Sequence, residues 1–149
     1  MDIRVQDTVF DLGFEAQAFA DRTSASGAVV TFTGIVRNNA EGTLDYMDIE
    51  YYPGMTEAAL RQIAEEAHAK WSLEDALIIH RVGKMRAGEM IMMVATASRH
   101  RKDAFEAAEF LMDFLKSRAP FWKKEVSRDG ADWVAARDED ETALARWQT

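Results

Sequence analysis

The chain has 149 residues, 48% hydrophobic and 30% charged, with 8 glycines, 2 prolines and no cysteine. One globular domain with a buried core is expected; wholesale disorder, disulfides, thiolate catalysis and thiolate metal ligation are excluded. The formal net charge of -8 argues against a general nucleic-acid binder, no apolar run is long enough to span a bilayer, and MDIRVQDTVF is not a signal peptide, so cytoplasmic residence is the expectation.

In chain order, residues 14–22 predict a short amphipathic helix with Phe14, Ala18 and Phe19 on one side. Residues 28–36, AVVTFTGIV, are rich in β-branched and aromatic types and predict a buried strand. A polar loop over 37–42 leads to a second strand, 44–52. Pro53-Gly54 punctuates the chain, and Thr56 with Glu57 opens a helix reaching Trp71, with Leu60, Ile63, Ala67 and Trp71 at helical spacing. Strands are expected at 76–82 and 89–97. The Gly-flanked loop 83–88 between them predicts an antiparallel hairpin.

Ser98 is the expected N-cap of the next helix, whose face is Ala104, Ala108, Leu111, Met112 and Leu115. Lys116 falls in its last turn and Pro120 closes it. Residues 121–126 and 133–135 read as strands paired around an Asp129-Gly130 turn. From about residue 138 the acidic tail is expected to fray. The whole is a single α+β domain, residues 1–149, with a largely antiparallel sheet and packed helices.

Charge is unevenly spread. Residues 98–128 hold eight Lys/Arg against five acids, a net of +3, which leaves -11 for the rest of the chain. Cations at a helix N-terminus are mildly unfavourable, by about 0.3–1 kcal/mol each. The run Ser98-Arg99-His100-Arg101-Lys102 is therefore either solvated surface charge or an anion cradle built from Ser98, His100, Arg101 and free backbone N–H groups.

A second cluster spans Lys116 to Glu125, where Pro120, Phe121 and Trp122 can stiffen the frame that carries Lys116, Lys123 and Lys124. Crowded or desolvated lysines titrate low and serve as acids or bases. The plain reading is a lysine-decorated helix C-terminus, which the macrodipole favours. Arg37 ends an apolar strand at a polar loop, a place suited to a ligand contact. His80 lies within a strand and reads as structural. His68, His80 and His100 fall in separate segments, so no metal site is expected.

Five blocks in order, FTGIVR (32–37), IEYYPGM (49–55), IIHRVGKMRAGE (78–89), SRHRKDAFEAAEFLMDFLK (98–116) and APFWKKE (119–125), closely resemble the large, catalytic subunit family of molybdopterin synthase. The resemblance runs from about residue 3 to Trp147. It implies an α/β hammerhead fold and a sulfurtransferase of molybdenum-cofactor biosynthesis, which converts cyclic pyranopterin monophosphate (precursor Z) to molybdopterin by installing two sulfurs. The sulfur would arrive as a thiocarboxylate on the C-terminal Gly-Gly of a small ubiquitin-like subunit, consistent with a chain that has no cysteine. The implied assembly is a heterotetramer around a central homodimer of this chain, with no cofactor, nucleic acid or membrane involved.

Residue by residue, the resemblance implies that Lys116 and Lys123 are catalytic. It implies that Arg37, His100, Arg101, Lys124 and Glu125 contact substrate. Many relatives carry a basic residue where Ile35 stands, so Ile35 and Val36 would contribute through their backbone. The alternative to an enzyme is a non-catalytic scaffold that binds an acidic or glycine-terminated protein tail.

Overall fold

The computed structural model describes residues 1–128, 130–134 and 138–148. The elements are β1 (Asp2–Gln6), α1 (Leu12–Arg22), β2 (Ala28–Ile35), β3 (Leu44–Tyr51), α2 (Met55–Trp71), β4 (Asp75–Arg81), β5 (Gly83–Met85), β6 (Met90–Ser98), α3 (Arg101–Ser117), β7 (Phe121–Ser127), β8 (Gly130–Val134) and α4 (Asp138–Ala145), closed by a 3-10 turn, Arg146–Gln148. The α+β class is as expected. The strands, however, form two four-stranded sheets rather than one, ordered β1-β4-β6-β2 and β5-β3-β7-β8.

In the first sheet β4 runs antiparallel to β6, from Asp75↔Ala97 to His80↔Met92, as the hairpin pattern predicted. Its connection is not a simple loop. Gly83, at φ +88°, turns the chain out of the first sheet, and β5 then pairs with β3 in the second, with Met47 opposite Met85. A residue with a Cβ is strained at that φ. The composition gave no signal for β1, which pairs with β4 in parallel.

β4 is apolar on both faces because both are covered. Leu77 and Ile79 pack with Phe19 of α1. Ile78, facing the other way, packs with Leu60, Ala64 and Trp71 of α2 and Ala107, Phe110 and Leu111 of α3. Each such buried aliphatic or aromatic side chain contributes about 1.5–3 kcal/mol. Helix α1 starts two residues earlier than expected, where the Asp11 carboxylate accepts the Phe14 N–H at 3.0 Å. Phe14 lies on the open side, 67% exposed, while Phe19 is fully buried.

The N-cap of α3 is His100, not Ser98. Ser98 is the last residue of β6, paired with Ala28; it is 1% exposed and donates its hydroxyl to the His100 carbonyl at 2.5 Å. Residue 129 of the expected turn and residue 135 of the expected strand lie outside the described residues.

The segment expected to fray is helical from residue 138. Trp147 meets Trp71 and Phe110 edge-on at 5.5 and 5.6 Å, its indole N–H donates to Asp113 at 2.6 Å, and Arg146 pairs with Glu109 and Asp113 at 2.6 and 2.9 Å. One aromatic in an acidic run supplies the anchor that composition obscures. No helix among the described residues is long and apolar enough to cross a membrane.

Candidate active site

A cleft of about 950 Å³ opens where the end of β2, the C-terminus of α3 and the inner face of β7 meet. Lys116 reaches it from the last turn of α3, where the helix's free carbonyls favour a cation. The helix stops with the Arg118 N–H bonded to the Phe114 carbonyl at 2.8 Å. The chain then reverses at Pro120, whose carbonyl accepts the hydroxyl of Thr56 at 3.0 Å. Thr56 is fully buried, so the bend between the two lysines is tied to the start of α2.

Beyond the bend, the two-residue period of β7 points Phe121, Lys123 and Glu125 into the cleft. Trp122 and Lys124 take the outer face, where Tyr52 meets Trp122 at 5.3 Å and the Lys124 ammonium lies 5.4 Å from the Trp133 ring centre. On the opposite wall, β2 carries a register shift between Gly34 and Ile35. Gly34 lies so close to Met92 that a Cβ there would stand 3.3 Å from its sulfur. This bulge re-aims the strand end and delivers Arg37 to the cleft.

The cleft thus gathers Arg37, Lys116 and Lys123 with two carboxylates, Glu125 and Asp140. None of the three cations has a described carboxylate within ion-pair distance. Burial, and then the neighbouring Lys116 charge, push Lys123 down to about 8, with Asp140 opposing weakly. A lysine at that value exchanges its proton near neutral pH, as a general acid or base must.

The expected site residues therefore divide. Arg37, Ile35, Lys116, Lys123 and Glu125 share the cleft. Lys124 faces away from it, on the outer side of β7. Val36 is 2% exposed and packs with Met47, Ile49, Val82 and Met85. Its N–H donates to Glu89 and its carbonyl accepts from Gly88, both at 2.8 Å, so its backbone is spent within the fold. His100 and Arg101 are exposed at the far end of α3. Fifteen residues of helix separate Arg101 from Lys116, about 22 Å along the axis. Ser98, buried and hydrogen-bonded to His100, offers nothing to an anion.

Sequence reasoning missed Asp140 and Ser117 in the cleft lining. Asp140 belongs to the acidic run read as a frayed tail, and Ser117 has no motif around it. Among the described residues the Ser117 hydroxyl has no hydrogen-bond partner.

A family model described as "MoaE protein" matches residues 5–118. The molybdopterin synthase catalytic subunit of Cereibacter sphaeroides is 61% identical over 147 residues, covering 99% of this chain and 100% of that protein. Among solved structures, the molybdopterin biosynthesis MoaE protein from Burkholderia ambifaria matches with a TM-score of 0.83 at 48% identity, covering 99% of this chain and 98% of that one. Molybdopterin synthase from Staphylococcus aureus matches at 0.78 and 33% identity, covering 90% of this chain and 96% of that one.

Proposed function

The chain belongs to the MoaE protein family, and from that premise we propose that it transfers two sulfurs to cyclic pyranopterin monophosphate, forming molybdopterin. It is an enzyme subunit of molybdenum-cofactor biosynthesis. The sulfur donor in this reading is the C-terminal thiocarboxylate of a small ubiquitin-like subunit. The observation that carries it is the convergence of Arg37, Lys116 and Lys123, from three elements, on one open cleft.

Each cation has a distinct task. Arg37 grips the substrate phosphate, for which a planar guanidinium is suited. Lys116, at the mouth formed by the end of α3, receives the glycine tail of the small subunit and offsets its negative charge. Lys123, half-buried and titrating near 8, moves the proton that accompanies sulfur attack and departure of oxygen. The backbone of Ile35 and the carboxylate of Glu125 border the pterin.

His100 and Arg101 serve a different copy's cleft. β2 is an edge strand, with Val29 and Phe32 about 40% exposed, at 39% and 41%. Its first residue, Ala28, pairs with Ser98 beside the start of α3, and its last borders the cleft. An open apolar edge is covered by a second copy related by a two-fold axis. Antiparallel apposition of the two edges lays one copy's α3 start beside the other's cleft, which a single chain cannot do.

Carbodiimide activation of the small subunit's glycine carboxylate tests the docking. The expected product is an amide bond from that glycine to Lys116, mapped by peptide mass spectrometry. Coupling confined to lysines outside the cleft, such as Lys70 or Lys102, would refute it.

A further inference from the structure

Behind the cleft lies a smaller cavity, about 70 Å³, walled by Phe32, Ile91, Met112 and Leu115 and by three titratable residues: His80, Lys116 and Lys123. We infer that His80 is a positioning residue for Lys123, its imidazole Nε2 accepting the amine's hydrogen bond through one water held in this cavity, so that the lysine nitrogen is presented to the cleft. The inference rests on the catalytic role proposed above for Lys123.

The tautomer follows from one contact. Nδ1 of His80 is 2.8 Å from the carbonyl oxygen of Arg81, which can only accept, so Nδ1 carries the proton. Burial, and then the Lys123 charge, push His80 down to about 3, which leaves Nε2 bare throughout the neutral range. The ring is therefore a fixed acceptor and not a base. Among the described residues that line the inner cavity it is the one nitrogen acceptor, where the two ammonium groups are donors.

The ring's attitude is set as firmly as its proton. His80 is 2% exposed and stacks on Phe121, centroids 3.9 Å apart and planes within 17°. Phe121 and Lys123 project from the same face of β7, so the stack ties the imidazole to the strand that carries the lysine. The cavity has room for one water to bridge Nε2 and the amine. A ring that only filled space here would be cheaper to bury without nitrogens, because an unpaired buried polar atom is costly.

The other groups facing Lys123 act from elsewhere. Lys116 on α3 repels its charge and Asp140 on α4 attracts it; Arg37 and Glu125 lie along the outer cleft and not in the inner cavity. None is a neutral acceptor.

Two measurements test the inference. In His80→Phe, which keeps a stacking ring, the Lys123 pKa read from pH-dependent amine labelling and mass spectrometry should fall, because an ammonium loses its acceptor. kcat should drop on the order of tenfold at unchanged KM, and His80→Gln should recover most of both. Nitrogen NMR of the His80 ring in wild type and Lys123→Met removes any dependence on how His80 variants fold. The Nε2 resonance should move toward that of a free acceptor when the amine is gone. An unmoved resonance, or a folded His80→Phe chain whose Lys123 titrates as in wild type, overturns the inference. Full sulfur transfer by Lys123→Ala would instead overturn the catalytic reading, a separate outcome.

Discussion

Lys123→Met is expected to lower sulfur transfer by at least about 10²-fold, the lower end of what a positioned general acid or base supplies, while making the folded chain more stable at neutral pH. Both effects come from one desolvated amine. Lys123 titrates at about 8 in the fold against 10.5 in the open chain, so the folded state disfavours its charged form. Near pH 7 both states hold the proton and the fold bears the whole penalty. As pH rises through 8 toward 10.5 the folded state releases its proton first. The unfolded state then binds more protons, and stability rises with pH.

Methionine carries no such penalty, so the variant should exceed wild type by about 3 kcal/mol at pH 7, with the gap narrowing to about 1 kcal/mol or less by pH 10. Urea denaturation at the two pH values measures it. Equal stability at pH 7 would mean that the amine is not desolvated, and wild-type turnover would remove it from the chemistry. A stabilising substitution that destroys activity is the mark of a residue kept for function.

The second large effect concerns the far end of α3. Arg101→Ala and Lys123→Ala are each expected to abolish most activity, yet a mixture of the two unfolded and refolded together should regain about a quarter of the wild-type rate. In a two-fold dimer whose clefts borrow Arg101 across the interface, a mixed dimer has one cleft with both lesions and one with neither. Half of randomly formed dimers are mixed. If Arg101 acted on its own chain's cleft, every cleft would carry a lesion and no activity would return. The separation of about 22 Å along one straight helix favours the first outcome.

Much of this arrangement was legible before any coordinates, and the failures have definite causes. The apolar run of β4 and the spacing in α2 and α3 marked the core because helical and strand periods report directly on burial. Ser98 looked like a cap because serine caps helices well, but pairing with Ala28 kept it in β6 and passed the cap to His100. Five candidates did meet in the cleft. Lys124 did not, because adjacent residues on a strand face opposite ways. Val36 did not, because the bulge at Gly34 and Ile35 turned its side chain inward.

His80 read as structural because nothing local distinguishes a packing histidine from an acceptor. Its stack on Phe121, its partner at Arg81 and the cavity beyond it are all tertiary. The split into two sheets was equally hidden, since it hangs on Gly83 and a three-residue strand.

The most direct test of the account combines this chain, a thiocarboxylated ubiquitin-like partner and cyclic pyranopterin monophosphate, with the pterin followed by mass spectrometry. The pterin should gain two sulfurs with the wild-type chain and essentially none with Lys123→Ala. Tight partner binding without any sulfur reaching the pterin would contradict the account and leave the chain a scaffold.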